Sequence, residues 1–194
     1  MTVWPAEAFA RLLDAFRHLE IEYMVGGSTA SSIHGQTRMT RDIDIVARIN
    51  LADTERFAGE LRQDFYVDEH QIESAIHSHR SFNVIHLRTS FKFDIFPLAR
   101  DPYQEAQFAR RRLESSAAFG GLKFAVSSPE DVILSKLRWY RLGGEVSEQQ
   151  WNDILGVIAV LQNRLDLAYL REWAGYLNVA DLLEQALSER HEPL

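Results

Sequence analysis

The chain has 194 residues, of which 46% are hydrophobic and 25% charged, and its formal net charge is −7. This length and composition are typical of a globular protein with a sizeable core, and the negative charge argues against nonspecific coating of nucleic acid. The absence of cysteine excludes disulfides and thiolate catalysis. Because no apolar run is long enough to span a bilayer and charges interrupt the N-terminal apolar residues, we expect a cytoplasmic protein with no membrane partner.

The first predicted elements are an amphipathic helix, a short strand and a turn that leads into a second helix. Apolar residues recur at helical spacing between Trp4 and Leu19. The apolar run at 23–25 predicts a strand, and the Gly-Gly-Ser sequence at 26–28 predicts a tight turn before a helix of small residues. The glycines allow the backbone to approach a ligand and expose its N–H groups, which are the features of a phosphate-binding turn.

A second strand carries two carboxylates. Asp42 and Asp44 alternate with Ile43 and Ile45, so both aspartates face the same side of the strand. Their Cα atoms are then ~6.5–7 Å apart. Adjacent carboxylates repel, so a cation is expected beside them, and oxygen ligands suit Mg²⁺ or Mn²⁺. The alternative interpretation is a polar strand face at a sheet edge.

The middle of the chain predicts a helix and then two pairs of strands. The helix runs from about Leu51 to Gln63, and residues 65–79 show no clear pattern. Runs at 82–87 and 91–96 predict a hairpin, in whose second strand Lys92 and Asp94 share one face. A short amphipathic segment to Phe108 and a further strand pair, at 113–116 and 122–126, follow. The arginines at 110–112 indicate either a solvated strand edge or a contact to nucleotide or RNA phosphates.

From Ser127 onward only helices are predicted. Ser128-Pro129-Glu130-Asp131 is a strong helix start, and Gly143 follows its end. Three more helices are expected after it, beginning near Ser147, Leu167 and Val179. We therefore divide the chain into a core domain, 1–126, and a C-terminal helical lobe, 127–194.

Together these motifs resemble a known signature. Gly-Gly-Ser, thirteen further residues and then Asp-Ile-Asp is similar to the pattern of the polymerase-beta-like nucleotidyltransferase superfamily. The R-M-T-R-D-I-D version, Arg38 to Asp44, resembles the AbiEii-type abortive-infection branch, found among bacterial toxin–antitoxin systems. The third carboxylate of that pattern is matched by Asp94 in F-K-F-D-I-F-P. The resemblance implies an α/β (α+β) fold with a mixed sheet flanked by helices and a C-terminal helical lobe.

The resemblance also implies an activity: transfer of a nucleoside monophosphate from a nucleoside triphosphate to an acceptor hydroxyl, with release of pyrophosphate. Asp42 and Asp44 would hold Mg²⁺ or Mn²⁺, and Asp94 would complete one metal site and help to deprotonate the acceptor. The acceptor, whether an RNA end, a protein or a small molecule, is left open. The alternatives are a catalytically inactive nucleotidyltransferase-fold binding or regulatory module, and a toxin held inactive by an antitoxin partner.

The same resemblance assigns residues to the nucleotide. Gly26, Gly27 and Ser28 would bind the β- and γ-phosphates, and Arg38 and Thr40 are further candidate contacts. Lys136 is similar to a lysine that meets the triphosphate on the first helix after the core; the alternative is a surface lysine with its amine in solvent.

One departure from the pattern concerns the second predicted helix of the lobe. The resemblance calls for two acids spaced D-x-x-D, whereas Asp153 is followed three positions later by Gly156. We therefore assign Asp153 no catalytic role.

Overall fold

The computed structural model describes residues 6–35 and 42–189. Their helices and strands, in chain order, are α1 (Ala6–His18), β1 (Tyr23–Val25), α2 (Gly27–His34), β2 (Asp42–Ala47), α3 (Thr54–Leu61), β3 (Phe65–Tyr66), α4 (Glu69–Ser78), β4 (Phe82–His86), β5 (Lys92–Pro97), α5 (Pro102–Ala109), β6 (Arg112–Ser116), β7 (Leu122–Val126), α6 (Pro129–Leu142), α7 (Glu148–Leu161), α8 (Leu167–Tyr176) and α9 (Ala180–Glu189). None of these helices is long and apolar enough to cross a membrane.

The described residues divide into two compact units. Residues 6–25 and 42–126 form the first unit, and residues 26–35 and 127–189 form the second. The division differs in one segment from the domains predicted from the sequence, because α2 groups with the C-terminal helices instead of with the sheet.

The first unit is built on a seven-stranded mixed sheet in the order β3-β4-β5-β2-β1-β7-β6. β2 pairs with β5, and β1 with β7, in parallel, whereas the other neighbouring pairs are antiparallel. The predicted hairpin is confirmed as β4 and β5, and the predicted strand pair as β6 and β7. The α/β fold class expected from the sequence is confirmed.

Alternation of side chains fixes β2 and β5 in the sheet. Ile43, Ile45, Phe93 and Ile95 are fully buried, and the residues between them are only partly buried. The ring of Phe93 has its centroid within 6.2 Å of three other rings, those of Phe9, Phe65 and Phe91. A slip of one residue in either strand would expose this apolar set and bury carboxylates, so the pairing register is strongly specified.

The segment without a readable pattern contains β3 and α4. A strand of two residues is too short to show a period of two, and β3 is recognised only by its antiparallel pairing with β4. Asp68 caps α4 by accepting hydrogen bonds from the backbone N–H groups of His70 and Gln71, at 2.9 and 3.3 Å.

In the second unit, α2 lies close to α7. A Cβ atom built on Gly35 would stand 3.1 Å from the backbone nitrogen of Val157 and 3.2 Å from the carbonyl carbon of Gly156. Glycine is therefore required at the C-terminal end of α2 for this approach. At the start of α6, Ser128 donates to buried Asp131 at 2.6 Å, and Tyr169 of α8 donates to the same carboxylate at 2.8 Å.

Gly35→Ala tests this close approach. Because the added methyl meets backbone atoms, which cannot move aside cheaply, we expect a loss of about 1–3 kcal/mol in the free energy of unfolding. Gly175→Ala in α8 is the matched control, since nothing lies within 4 Å of the added Cβ. Urea denaturation should show the control unchanged or stabilised by up to about 1 kcal/mol. An equal change in the free energy of unfolding for both variants would contradict the close approach of α2 to α7 at Gly35.

Candidate functional site

The carboxylates predicted to act together lie on one face of the first unit's sheet. In the parallel pairing of β2 with β5, Asp42 lies opposite Lys92, and Asp44 lies opposite Asp94. All four belong to the partly buried set that alternates with the core residues. Neighbouring strands are ~4.8 Å apart, so the four side chains form a compact group, which we call the carboxylate cluster.

Lys92 is the member of this cluster to which the sequence analysis gave no role. Its Nζ donates to Asp94 Oδ2 at 2.7 Å and lies 3.7 Å from Asp42 Oδ2. The hydrogen bond to Asp94, followed by the charges of Asp94, Asp42 and Asp44, raises the pKa of the Lys92 ammonium, which therefore remains protonated at neutral pH. The alternation in F-K-F-D already placed Lys92 on this face, so its position was accessible from the sequence.

The cluster has the chemistry of a cation site, and its present cation is an amine. Carboxylate oxygens from adjoining strands are hard ligands of the kind that Mg²⁺ and Mn²⁺ prefer, and two of them already contact one ammonium group. As the side chains lie, no group of three or more His, Cys, Asp or Glu residues within 6–35 and 42–189 is arranged to hold a metal ion. The oxygen ligands are of the type that suits a divalent cation, but in this arrangement the carboxylates contact the Lys92 ammonium instead of forming a metal geometry.

The predicted phosphate-binding turn is in the second unit, at the N-terminus of α2. Gly26 is the N-cap residue of α2, with a φ of −122°, and it has no side chain to accept a hydrogen bond from the first backbone N–H groups of the helix. The first turn of α2 contains no acidic residue. Gly27 has a φ of +53°, the left-handed conformation that glycine adopts without strain. A Cβ on Gly26 would have no atom within 4 Å. These features leave backbone N–H groups at the helix terminus suited to an anion.

Lys136, also in the second unit, is buried, so the surface-lysine alternative is wrong. Only 5% of the residue is exposed. Its Nζ donates to Asp153 Oδ2 at 2.8 Å and to Gln150 Oε1 at 3.0 Å, both from α7. Asp153 thus has a role in the structure, as the partner of Lys136. The other two predicted nucleotide contacts, Arg38 and Thr40, lie outside the described residues.

The arginines at 110–112 are not equivalent. The guanidinium of Arg111 lies 4.3 Å from the ring centroid of Phe108, donates to the Phe108 carbonyl at 2.7 Å and pairs with Glu22. Arg112 is exposed at the start of β6. Exposure of Arg112 agrees with both the solvated-edge and the phosphate-contact interpretations, while Arg111 is engaged in packing within its own unit.

The burial of Lys136 gives a prediction about stability. Its side chain is 6% exposed and that of Asp153 17%, so Lys136→Met should cost about 3 kcal/mol by leaving a largely buried carboxylate without its lysine. Adding Asp153→Asn should restore most of this loss. Arg171→Met, which breaks an exposed pair with Glu184 in the same unit, should have little effect in the same urea titrations. A similarly small loss for Lys136→Met would show that the ion pair is not structural.

Comparisons with known proteins establish the fold. No family model and no curated protein matches the chain. A nucleotidyltransferase-like antigenic protein from Paracoccidioides brasiliensis matches with a TM-score of 0.55 and 18% identity, over 93% of this chain and 91% of that one. The lincomycin-bound lincosamide adenylyltransferase LnuA matches with a TM-score of 0.51 and 16% identity, over 79% and 96%.

A third solved structure agrees with these two. The antibiotic-resistance factor ANT(2'')-Ia matches with a TM-score of 0.52 and 16% identity, over 97% of this chain and 100% of that chain. At identities of this size, the likeness concerns the fold alone. The chain therefore has the fold of the nucleotidyltransferases, as its motifs led us to expect.

Proposed function

We propose that the protein transfers a nucleoside monophosphate from a nucleoside triphosphate to an acceptor hydroxyl and depends on Mg²⁺ or Mn²⁺. The observation that carries this proposal is the carboxylate cluster, in which Asp42, Asp44 and Asp94 share one face of two paired strands of a nucleotidyltransferase fold. Without this cluster, neither the phosphate-binding turn nor the buried Lys136 would support a proposal of nucleotidyl transfer.

In this reaction the acceptor oxygen forms a bond to the α-phosphorus, and the bond from that phosphorus to the α–β bridging oxygen breaks. Pyrophosphate leaves with the bonding electrons. Asp42, Asp44 and Asp94 would hold the divalent cations, which supply charge neutralisation at the triphosphate when bound. Asp94 would also accept the proton of the attacking hydroxyl, directly or through water.

The nucleotide contacts remain those predicted from the sequence. The backbone N–H groups at 26–28 would donate to phosphate oxygens, because the left-handed Gly27 and the acid-free first turn of α2 suit an anion. Lys136 could bind the triphosphate only if its ammonium gave up its hydrogen bonds to Gln150 and Asp153 of α7. Arg38 and Thr40 stay as candidate contacts.

We infer a small-molecule hydroxyl as the first acceptor class to test. Two of the matched structures are named for antibiotic modification: LnuA is a lincosamide adenylyltransferase, and ANT(2'')-Ia has been solved with adenylyl-2''-tobramycin. The R-M-T-R-D-I-D motif supports a second possibility, a toxin whose acceptor is an RNA end or a protein and whose partner is an antitoxin. An inactive binding module is the alternative, and the presence of Lys92 in the cluster is the observation that favours it.

The role of the cluster is tested with Asp44→Asn. The variant should lose nucleotidyl transfer and the Mg²⁺-induced rise in melting temperature, while its melting temperature without metal stays equal or rises because one repulsive charge is removed. Glu114→Gln on β6 is the control carboxylate of the same sheet and should keep the Mg²⁺ shift. Equal Mg²⁺ shifts for wild type and Asp44→Asn would show that the cluster is not the metal site.

The phosphate-binding turn is tested with a pair of alanine substitutions. Gly26→Ala should weaken binding of a non-hydrolysable triphosphate by about 1–3 kcal/mol and change folding stability by less than about 1 kcal/mol, since its φ is negative and its Cβ meets no atom. Gly27→Ala should cost more stability because its φ is +53°.

Isothermal titration and urea denaturation measure the two effects of this pair separately. If Gly26→Ala binds the nucleotide as tightly as wild type does, then the Gly26 position forms no part of a phosphate site.

A further inference from the structure

We propose that Lys92 is an internal counter-ion, which occupies the cation position of the carboxylate cluster in the metal-free protein and has to leave when a divalent cation binds. Lys92 would therefore set the affinity of the cluster for metal. This inference rests on the proposed function, since it assumes that the cluster binds Mg²⁺ or Mn²⁺.

The geometry places the amine on the oxygens that a metal would need. Lys92 Nζ is 2.7 Å from Asp94 Oδ2 and 3.7 Å from Asp42 Oδ2, so it bridges carboxylates of two different strands. A magnesium ion binds oxygen at about 2.0–2.1 Å. A divalent cation and the Lys92 ammonium bound to the same oxygen, Asp94 Oδ2, would lie close together and repel each other strongly. The two positive groups therefore compete.

The structure also gives Lys92 a way to leave. Its side chain is 40% exposed, against 15% for Asp94, so the ammonium can turn into solvent on its flexible four-carbon stem. The flanking residues Phe91 and Phe93 are buried, with ring centroids 5.0 Å apart, and so anchor the strand on both sides of Lys92. Lys92 leaves by a change of its own side-chain rotamer.

The competition has two opposite consequences. Without metal, Lys92 reduces the repulsion among the three carboxylates and so stabilises the fold. With metal, the displacement of Lys92 opposes binding. Removing the amine should therefore lower the stability of the metal-free protein and raise its affinity for Mg²⁺.

The lysine content of the chain allows a direct measurement on the wild-type protein. The sequence has three lysines, Lys92, Lys123 and Lys136; Lys123 is exposed on β7 and Lys136 is buried. In a brief acetylation followed by peptide mass spectrometry, Lys92 should react more slowly than Lys123 without metal. Saturating Mg²⁺, with no nucleotide present, should raise the Lys92 rate several-fold and leave the two reference lysines unchanged. An unchanged Lys92 rate in protein that binds Mg²⁺ would overturn the inference.

A pair of variants measures the energetics. Lys92→Met should bind Mg²⁺ roughly tenfold more tightly than wild type in isothermal titration, within the usual range of coupling between two sites, and should melt at a lower temperature without metal. Lys123→Met should change neither quantity. If wild type and Lys92→Met bind Mg²⁺ with equal affinity, the counter-ion role is wrong and the proposed function stands. If neither binds Mg²⁺, both proposals fail.

Discussion

The parallel pairing of β2 with β5 is the constraint on which the candidate site depends. Both strands alternate between buried apolar residues and partly buried polar ones, and their register sets Asp44 beside Asp94 and Asp42 beside Lys92. The apolar half of the pattern holds this register, because Phe93 is packed among three other aromatic rings. A strand pair that is fixed by its core face can present charges on its other face without losing its alignment.

Such a group of charges is unfavourable in the absence of a cation, and the chain offsets this within the same strand pair. Lys92 lies two residues before Asp94, on the same face, and its ammonium contacts two of the three carboxylates. The cluster that we propose as a metal site thus has a counter-charge of its own. The same residue that stabilises the metal-free protein would then lower its affinity for metal, a compromise between folding and function of the kind expected at functional sites.

In the second unit, an ion pair holds α6 against α7, and close backbone packing holds α2 against α7. Lys136 and Asp153 join α6 to α7 through a largely buried ion pair, while Gly35 lets the end of α2 approach the backbone of α7 beside Gly156. Gly156 stands where the D-x-x-D pattern would have a second acid. The departure from that pattern therefore coincides with a tight backbone approach, and the remaining acid, Asp153, has a lysine partner.

The sequence by itself determined most of the elements and the faces of β2 and β5, because periods of two and 3.6 residues and helix caps are local signals; β3 and α4 were the exceptions. The period of two placed Asp42 and Asp44 on one face of their strand and Lys92 and Asp94 on one face of theirs, while it was the resemblance to the nucleotidyltransferase pattern that joined Asp94 to the other two aspartates. Tertiary structure alone decided which groups meet: the salt bridge of Lys92 with Asp94 depends on side-chain rotamers, and that of Lys136 with Asp153 on helix packing. It also decided that α2 belongs with the C-terminal helices, since packing between residues over a hundred positions apart leaves no periodic signal in either segment.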